Sequence, residues 1–400
     1  MPQKTKENNI DKYASLTGNW NYPTRIRFGA GRFRELPQAC GAAGIERPLI
    51  VTDPGLMPLP MIGDAMHMLE QAGMAYAVFG DVHPNPVAAD VEAGLKVYKR
   101  GKHDGVILIG GGSAMDAGKA IAFMSGQTRP IWDYEDREDW WSRADPVGIA
   151  PCIAIPTTAG TGSEVGRAAV ITDERDHTKK IIFHPKMLPV EVIADPELTI
   201  GLPSKITAAT GMDALSHNLE AYCSPFWHPM GQGIALEGMR LVKEWLPVAT
   251  HEGQNVEARA FMLAASSMGA TAFQKGLGAM HAMSHPCSSL RGTHHGLTNA
   301  VIMPYVLLHN RPAIEDKLAA AARYLDLKDQ SFNGFVDWVL ALRQEVGIPD
   351  RLSDIGVEAD IIPQLAAMAL EDPSTGGNPL PMDVPTYETL FDHAINGKLL

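Results

Sequence analysis

Four of the fourteen histidines in this 400-residue chain lie in one short segment, GAMHAMSHPCSSLRGTHHG, residues 278–296. They are His281, His285, His294 and His295. On a helix, His281 and His285 would stand four residues apart on one face, because side chains at i and i+4 are neighbours. Such a pair suits metal ligation, but it also suits ordinary packing with local hydrogen bonds, so the segment alone leaves both interpretations open.

A second pair with the same spacing occurs earlier in the chain. The stretch GMDALSHNLEAY places Asp213 and His217 at i and i+4, again on one helical face. One such pair is weak support for a metal site. An Asp/His pair and a His/His pair in the same helical region could, however, supply a complete ligand set for a divalent ion.

A glycine-rich turn follows an apolar run in DGVILIGGGSAMDAGKAIA. Gly110, Gly111 and Gly112 would let backbone N–H groups approach a diphosphate, and the helix beginning near Ser113 would add partial positive charge at its N-terminus. The stretch differs from the G-x-G-x-x-G fingerprint. Ser113 and Asp116 also have the spacing of a capping box, so a purely structural turn remains an alternative.

Two further features support nucleotide binding. PTTAGTGSEV follows the apolar run PCIAI and carries hydroxyls at Thr157, Thr158, Thr161 and Ser163; loops of this kind at the ends of parallel strands are where open α/β sheets bind ligands. Asp53 ends another apolar run, where a carboxylate could accept hydrogen bonds from an adenosine ribose and repel a 2′-phosphate. The hydroxyls could instead serve a surface turn, and Asp53 could cap a helix.

The elements that would position these residues change character along the chain. From about residue 24 to residue 200, strand-like runs such as RPLIVTD, AYAVFGD, DGVILIG and EVIAD alternate with helical patterns, which is typical of a parallel sheet covered by helices. After LPSK, long helical patterns follow. We therefore predict an α/β domain over residues 1–202, which contains the candidate dinucleotide-binding loops, and an all-helical domain over residues 203–400, which contains the candidate metal ligands.

Composition narrows the class of function. The net charge of −12 and the lack of Lys/Arg runs argue against nucleic acid or an anionic membrane as partner. The four cysteines lack C-x-x-C spacing, which favours reduced thiols. The polar start MPQKTKENNIDKY lacks the apolar region of a secretory signal, and nowhere do about twenty apolar residues run consecutively. These features predict a cytoplasmic protein.

Taken together, these motifs resemble the iron-containing, or group III, alcohol dehydrogenases. The resemblance runs over nearly the whole chain, through GGGSAMDAGKAIA, PTTAGTGSEV, MDALSHNLEAY, GAMHAMSHP, THHG and DPSTGGNP in the family's order. It implies a Rossmann-like N-terminal domain, a helical C-terminal domain, and a cleft between them that holds nicotinamide and metal. The implied ligands are Asp213, His217, His281 and His295, since the family's last ligand directly precedes a glycine.

The resemblance also implies the chemistry. Fe²⁺ is the favoured ion, although imidazole and carboxylate suit Zn²⁺ as well. A divalent ion would acidify an alcohol, which then gives hydride to NAD, or would polarise an aldehyde in the reverse direction. Asp213 and His281 would thus serve catalysis as ligands. His285 matches a position beside the nicotinamide, where it could relay a proton or form a steric wall. His294 departs from the family's pattern and is either an outer partner of the metal or simply exposed.

The expected reaction is hydride transfer between NAD(H) and a small primary alcohol or aldehyde. Arg167 and Arg291 could border the cleft and bind an anionic group on the substrate, or could serve cofactor phosphate or surface ion pairs. A metal- and NAD-dependent lyase of the dehydroquinate synthase class and a non-catalytic nucleotide-binding protein are the alternatives. By analogy with the family, N-terminal strands such as RIRFG, residues 25–29, could pair two copies into a homodimer.

Overall fold

The computed structural model describes residues 18–20, 24–175 and 178–399, so the polar stretch that begins the chain lies outside the described residues. Nine strands occur in them. These strands are β1 (Gly18–Trp20), β2 (Arg25–Phe28), β3 (Pro48–Val51), β4 (Ala77–Phe79), β5 (Gly105–Gly110), β6 (Cys152–Pro156), β7 (Ala168–Asp173), β8 (Thr178–Phe183) and β9 (Glu191–Ala194).

Seven strands form one sheet in the order β1-β2-β9-β6-β5-β3-β4. All neighbours are parallel except β1 and β2, which pair antiparallel. Every residue of β3, β5, β6 and β9 is buried, as expected for parallel strands covered on both faces. The continuous apolar runs of the sequence thus correspond to the centre of this sheet, and the predicted α/β architecture is confirmed.

The described residues contain twelve α-helices. They are α1 (Leu36–Ala43), α2 (Pro60–Gln71), α3 (Ala88–Gly101), α4 (Gly112–Met124), α5 (Ser204–Cys223), α6 (Pro229–His251), α7 (Val256–Ala272), α8 (Ala279–Arg291), α9 (His295–Tyr324), α10 (Phe332–Glu345), α11 (Ile362–Glu371) and α12 (Val384–Asn396). Helices α1 and α2 cover one face of the sheet, where Ile107 of β5 is buried, and α3 and α4 cover the other, where Leu108 is buried. Alternate residues of one strand therefore belong to two cores.

After β9 the described chain contains only helices and turns, as the sequence predicts. Helix α5 is the centre of this helical part: it packs against α6, α7 and α9, and nearly all of its residues are buried. Small residues on α5 allow this close packing; a Cβ added at Gly211, for example, would come 2.1 Å from Leu246. The division of the chain into domains at residues 202 and 203 stays a prediction.

Two features differ from the sequence-based expectation. The hairpin of β7 and β8, with Ala168 opposite Phe183, is inserted between β6 and β9 and packs against α8 of the helical part. The segment RIRFG is paired on both sides, with β1 and with β9, so it offers no free edge to a second copy. Among the described residues, no helix has the length and apolarity needed to cross a bilayer.

Candidate metal and nucleotide site

The glycine turn after β5 and the threonine loop after β6 touch each other at the carboxyl edge of the sheet. Thr157 donates its backbone N–H to Gly110 O at 3.0 Å. A Cβ added at Gly111 would lie 3.2 Å from Thr158 Oγ1, and one at Gly112 would lie 2.8 Å from Thr161 Cγ2. Because side chains at the glycines would displace this loop, the two segments form a single backbone-lined cradle at the N-terminus of α4.

The capping box expected from Ser113 and Asp116 does not form. The helix begins at Gly112 without a side-chain cap, and Asp116 instead accepts hydrogen bonds from Ser163 Oγ at 2.6 Å and Val170 N at 3.1 Å. Lys119 Nζ also donates to Ser163 Oγ at 2.6 Å and lies 3.2 Å from Asp116. These hydrogen bonds, made by the buried Lys119 and the partly buried Asp116 and Ser163, fix the threonine loop and the β7–β8 hairpin to α4.

Asp53 stands at the same edge, in the turn after β3. Its Oδ1 accepts from the backbone N–H groups of Gly55 at 2.9 Å and Leu56 at 3.1 Å, so this oxygen stabilises a turn and does not cap a helix, since α2 begins only at Pro60. The other oxygen, Oδ2, would lie 3.5 Å from a Cβ added at Gly110. One carboxylate oxygen of Asp53 is thus held by the turn while the other faces the glycine cradle.

Three of the four implied metal ligands converge below this cradle. One donor atom each from Asp213, His217 and His281 lie within 4.8 Å of one another, and all three residues are buried. The predicted i, i+4 pair on α5 supplies the first two, and α8 supplies His281. The rings of His217 and His281 stack with their centroids 4.7 Å apart.

The two adjacent histidines at the start of α9 make different contacts. His295 Nε2 lies 3.7 Å from Asp213 Oδ1, and its ring centroid lies 5.2 Å from that of His281. His294 is exposed and caps α9, its Nδ1 accepting from Leu297 N at 3.4 Å. His295 therefore stands with the ligand group, whereas the imidazole of His294 is engaged in the helix cap.

Each of the three histidines in the group has an acceptor for its Nδ1–H. His281 Nδ1 lies 2.6 Å from Glu220 Oε2, His217 Nδ1 lies 3.2 Å from Gly160 O, and His295 Nδ1 lies 2.8 Å from Ser284 Oγ. The Glu220 carboxylate and the Gly160 carbonyl only accept, so these contacts assign His281 and His217 the tautomer with a bare Nε2, which is the form that binds a metal. The Ser284 hydroxyl donates to His295 O at 3.3 Å, which leaves its oxygen to accept from His295 Nδ1 in the same tautomer. Burial lowers the pKa of His217 to about 4, which favours the same neutral ring.

Sequence reasoning missed Glu220, the buried partner of His281. It lies three residues after His217 on the same face of α5, and that spacing is the signal that could have identified it. Its Oε1 also accepts from Met280 N at 2.7 Å. Burial opposes a charged ring, but the charge and hydrogen bond of Glu220 outweigh it and raise the pKa of His281, making its imidazole more basic toward a metal.

His285 belongs to a second histidine–carboxylate pair. Its Nδ1 lies 2.7 Å from Asp372 Oδ2, and its ring stacks on His295 at a centroid distance of 5.1 Å. Although burial opposes ionisation of Asp372, the interaction with His285 lowers the pKa of this carboxyl. Asp372 is the first residue of DPSTGGNP, 87 residues from its partner, so spacing could not reveal the pair.

The donor set fits a divalent transition-metal ion. Three bare imidazole nitrogens and one carboxylate provide nitrogen and oxygen ligands, and Glu220, Gly160 and Ser284 orient the rings from behind, as outer partners of metal-binding histidines do. Iron and zinc both accept such ligands. The residues that would hold the ion are Asp213, His217, His281 and His295.

The two arginines singled out in the sequence lie in different settings. Arg291 pairs with Asp360 on the surface, with Nη2 to Oδ2 at 2.9 Å. Arg167 precedes β7, donates from Nη2 to Gln274 Oε1 at 3.2 Å, and lies over the Phe183 ring at 5.6 Å. Gln274 directly follows Phe273, whose ring lies 5.1 Å from that of His217. Arg167 is thus close to the wall of the metal site.

A third cation in this region, Lys179 of β8, was not anticipated from the sequence. Burial lowers its pKa to about 8, while the charges of Asp116, Asp213 and Asp372 act in the opposite direction. Its own charge helps lower the pKa of His295, after the larger effect of burial. Lys179 therefore brings positive charge from the hairpin to the same cleft as the ligand group.

Comparisons with known proteins show the family to which the chain belongs. Residues 23–196 match the family described as iron-containing alcohol dehydrogenase, and residues 207–395 match its C-terminal family. The chain is 36% identical to a 4-hydroxybutyrate dehydrogenase of Cupriavidus necator over 94% of this chain and 99% of that protein.

Solved structures give the same result. A 1,3-propanediol oxidoreductase superposes with a TM-score of 0.88 at 34% identity, covering 92% of this chain and 97% of the other. A sulfoacetaldehyde reductase from Bifidobacterium kashiwanohense in complex with NAD⁺ gives 0.83 at 31% identity, covering 93% and 97%. The chain belongs to the iron-containing alcohol dehydrogenase family, whose members use NAD and iron to interconvert alcohols and aldehydes.

Proposed function

We propose that this protein transfers hydride between NAD(H) and a small primary alcohol or aldehyde, with Fe²⁺ held by Asp213, His217, His281 and His295. The observation that carries the proposal is the convergence of three buried ligand atoms within 4.8 Å beside two loops that form a nucleotide cradle. The three relatives are a dehydrogenase, an oxidoreductase and a reductase, which favours this reaction over the lyase alternative.

Each part of the site has a role in this reaction. Gly110, Gly111, Gly112 and Ser113, with Thr157, Thr158 and Thr161, would hold the dinucleotide phosphates, and Asp53 would bind the adenosine ribose. A bound divalent ion supplies Lewis acidity toward the alcohol or aldehyde oxygen. His285 would carry the proton that this oxygen loses or gains: Asp372 holds the ring through Nδ1, which leaves Nε2 to exchange a proton.

The substrate class follows from the surroundings of Arg167. We infer that the preferred substrate carries an anionic group, as in a small ω-hydroxy acid or its semialdehyde. Arg167 uses one N–H for Gln274, next to the Phe273 wall of His217, and no other described residue accepts a hydrogen bond from its guanidinium. The names of two relatives, a 4-hydroxybutyrate dehydrogenase and a sulfoacetaldehyde reductase, include substrates of this class. Plain short-chain alcohols are the default if this inference fails.

Substrate kinetics test both levels of the proposal. Protein reconstituted with Fe²⁺ is assayed with NAD(H) on butanal and on the four-carbon semialdehyde acid, in wild type, Arg167→Ala and the surface control Arg291→Ala. Because the guanidinium is exposed, we expect Arg167→Ala to lower kcat/KM for the acid by about tenfold, the lower end for a charge-assisted pair, with butanal unchanged. Wild-type preference for butanal would refute the anionic substrate, and inactivity on the whole panel would refute the reaction.

Location and assembly complete the proposal. All four cysteines are free and buried, which is compatible with a reducing compartment, and we propose that the protein acts in the cytoplasm. We also propose a homodimer. Because β2 is paired on both sides, the outer strand β1 is the N-terminal strand left at the edge of the sheet for such pairing.

A further inference from the structure

Asn299 lies at the centre of the ligand group, although it belongs to none of the motifs considered above. It follows His295 by one turn on α9 and is fully buried. Its Nδ2 lies 2.9 Å from Asp213 Oδ1, 3.2 Å from His295 Nε2 and 3.3 Å from His281 Nε2. One amide group therefore approaches three of the four proposed ligand atoms.

The chemistry of these three neighbours fixes the role of the amide. An ionised carboxylate only accepts hydrogen bonds, so the NH₂ side of Asn299, and not its oxygen, must face Asp213. The bare Nε2 atoms of His281 and His295 are acceptors as well. Without a donor between them, a buried carboxylate and two nitrogen lone pairs would repel one another, because little water is present to separate them.

Asp213 depends on this contact more than the histidines do. Each histidine is held from behind through its Nδ1, whereas Asn299 is the one hydrogen-bond donor that reaches the Asp213 carboxylate among the described residues. Asp213 is also only 2% exposed, so solvent cannot replace the missing bond. Loss of Asn299 would leave the carboxylate free to rotate.

We propose that Asn299 is a positioning residue that assembles the metal site before the ion binds and orients Asp213 as a ligand. The proposal rests on the proposed function, since it requires that a divalent ion binds at this site. The lone pair of an imidazole Nε2 cannot accept a hydrogen bond from the amide and bind the ion at once. When the ion binds, His281 and His295 would therefore lose their contacts with Asn299, while Asp213 would keep its hydrogen bond to the amide.

The chain contains a matched control, Asn218 on α5. It is also fully buried, and like Asn299 its Oδ1 has no hydrogen-bond partner among the described residues. Its Nδ2, however, donates to the backbone oxygens of Ala214 at 2.8 Å and Ala265 at 3.1 Å. Asn299→Ala and Asn218→Ala thus each remove one buried amide, but only Asn299→Ala removes hydrogen bonds to proposed ligands.

The test measures metal binding by metal-free protein, using Zn²⁺ in competition with a chromophoric chelator and Co²⁺ by its visible absorption bands. We expect Asn299→Ala to weaken Zn²⁺ binding by about 10- to 100-fold, the usual effect of removing an outer partner of a metal ligand, and to shift the Co²⁺ bands. Asn218→Ala should bind Zn²⁺ within about threefold of wild type, the scatter usual for a single contact, even where it lowers Tm similarly.

Each result has one meaning. If wild type binds neither ion, the proposed metal site itself is wrong. If wild type binds and Asn299→Ala binds equally tightly with unchanged Co²⁺ bands, Asn299 only fills space and this inference is overturned. Equal weakening in Asn218→Ala would overturn it too, since general loosening would then explain the effect. If Asn299→Ala does not fold, Asn299→Ser, whose hydroxyl is too short to span the contact, is expected to show the same loss.

Discussion

Replacing Glu220 by glutamine tests whether a buried charge behind His281 governs metal affinity. Glu220 Oε2 lies 2.6 Å from His281 Nδ1, and the two side chains are only 5% and 2% exposed. The Glu220→Gln variant would keep an oxygen acceptor for this N–H but lose the negative charge. A hydrogen bond to a charged group contributes about 1.5–3 kcal/mol and a neutral one about 0.5–1.5, so the change costs about 1–1.5 kcal/mol.

That energy sets the expected size of the effect. The Glu220 charge makes the His281 imidazole more basic toward a metal, so removing this charge should weaken metal binding. A loss of about 1.4 kcal/mol corresponds to a tenfold increase in Kd. Glu220→Ala is harsher, since it leaves the N–H groups of His281 and Met280 buried without acceptors. Two such groups cost about 2–6 kcal/mol, a large share of a typical folding free energy of about 5–15 kcal/mol.

The assay is Zn²⁺ competition with a chelator, followed by urea unfolding of the metal-free protein. We expect about tenfold weaker binding in Glu220→Gln with modest loss of stability, and a much lower urea midpoint in Glu220→Ala. Glu315→Gln, which breaks an exposed pair with Arg311, is the matched control and should change neither. Wild-type affinity in Glu220→Gln would refute the idea that the Glu220 charge acts on the metal through His281.

Further predictions concern single groups of the site. Alanine at any of the four proposed ligands, His295 included, should abolish metal content and most turnover. His294→Ala should remove only a helix cap and lower the free energy of unfolding in urea by about 1 kcal/mol. Comparable metal loss in His294→Ala and His295→Ala would contradict the choice of His295. Wild type should prefer NAD, and Asp53→Gly should relax that preference; better kcat/KM of wild type with NADP would exclude Asp53 from the ribose. Burial lowers the pKa of His217 to about 4, so as the pH falls the unfolded chain binds a proton before the folded chain does. The free energy of unfolding of the metal-free protein should therefore fall by up to about 3 kcal/mol between about pH 6.5 and pH 4. His217→Gln should flatten this dependence on pH, and an unchanged dependence in that variant would argue against a buried neutral His217. Asp372→Asn should lower kcat about a hundredfold with metal content unchanged, and an unaltered kcat would remove the His285 pair from proton transfer.

The sheet could be predicted from the sequence because its central strands are buried on both faces. Strands such as β5, whose six residues are all buried, are continuous apolar runs in the sequence. The β7–β8 hairpin was missed because β8 carries lysines in a strand that is only half buried. Lys180 is accommodated there by Asp173 of β7 at 2.5 Å, a pairing that exists only once the hairpin has formed.

The residues of the candidate site likewise fall into those that the sequence indicates and those that only the folded structure reveals. Local spacing paired Asp213 with His217 and His281 with His285, because residues at i and i+4 share a helical face, and the family resemblance chose among them. The structure brings Asp213, His217 and His281 together. Asp372 could not be found by spacing, since it meets His285 across 87 residues of sequence. Asn299 follows His295 by four residues on α9, but its contact with Asp213 spans 86 residues and appears only once α5 and α9 have packed together.

The buried carboxylates of the helical part relate the stability of the fold to the binding of a metal ion. Asp213, Glu220 and Asp372 bring three carboxylates into a largely buried region, where unpaired charges are costly. Glu220 and Asp372 each accept a hydrogen bond from a histidine N–H, whereas among the described residues the Asp213 carboxylate accepts a hydrogen bond only from the Asn299 amide. A neutral amide compensates a buried carboxylate less fully than a cation does. A divalent ion held beside Asp213 would add positive charge where the histidine lone pairs meet, so its binding would also stabilise the folded state.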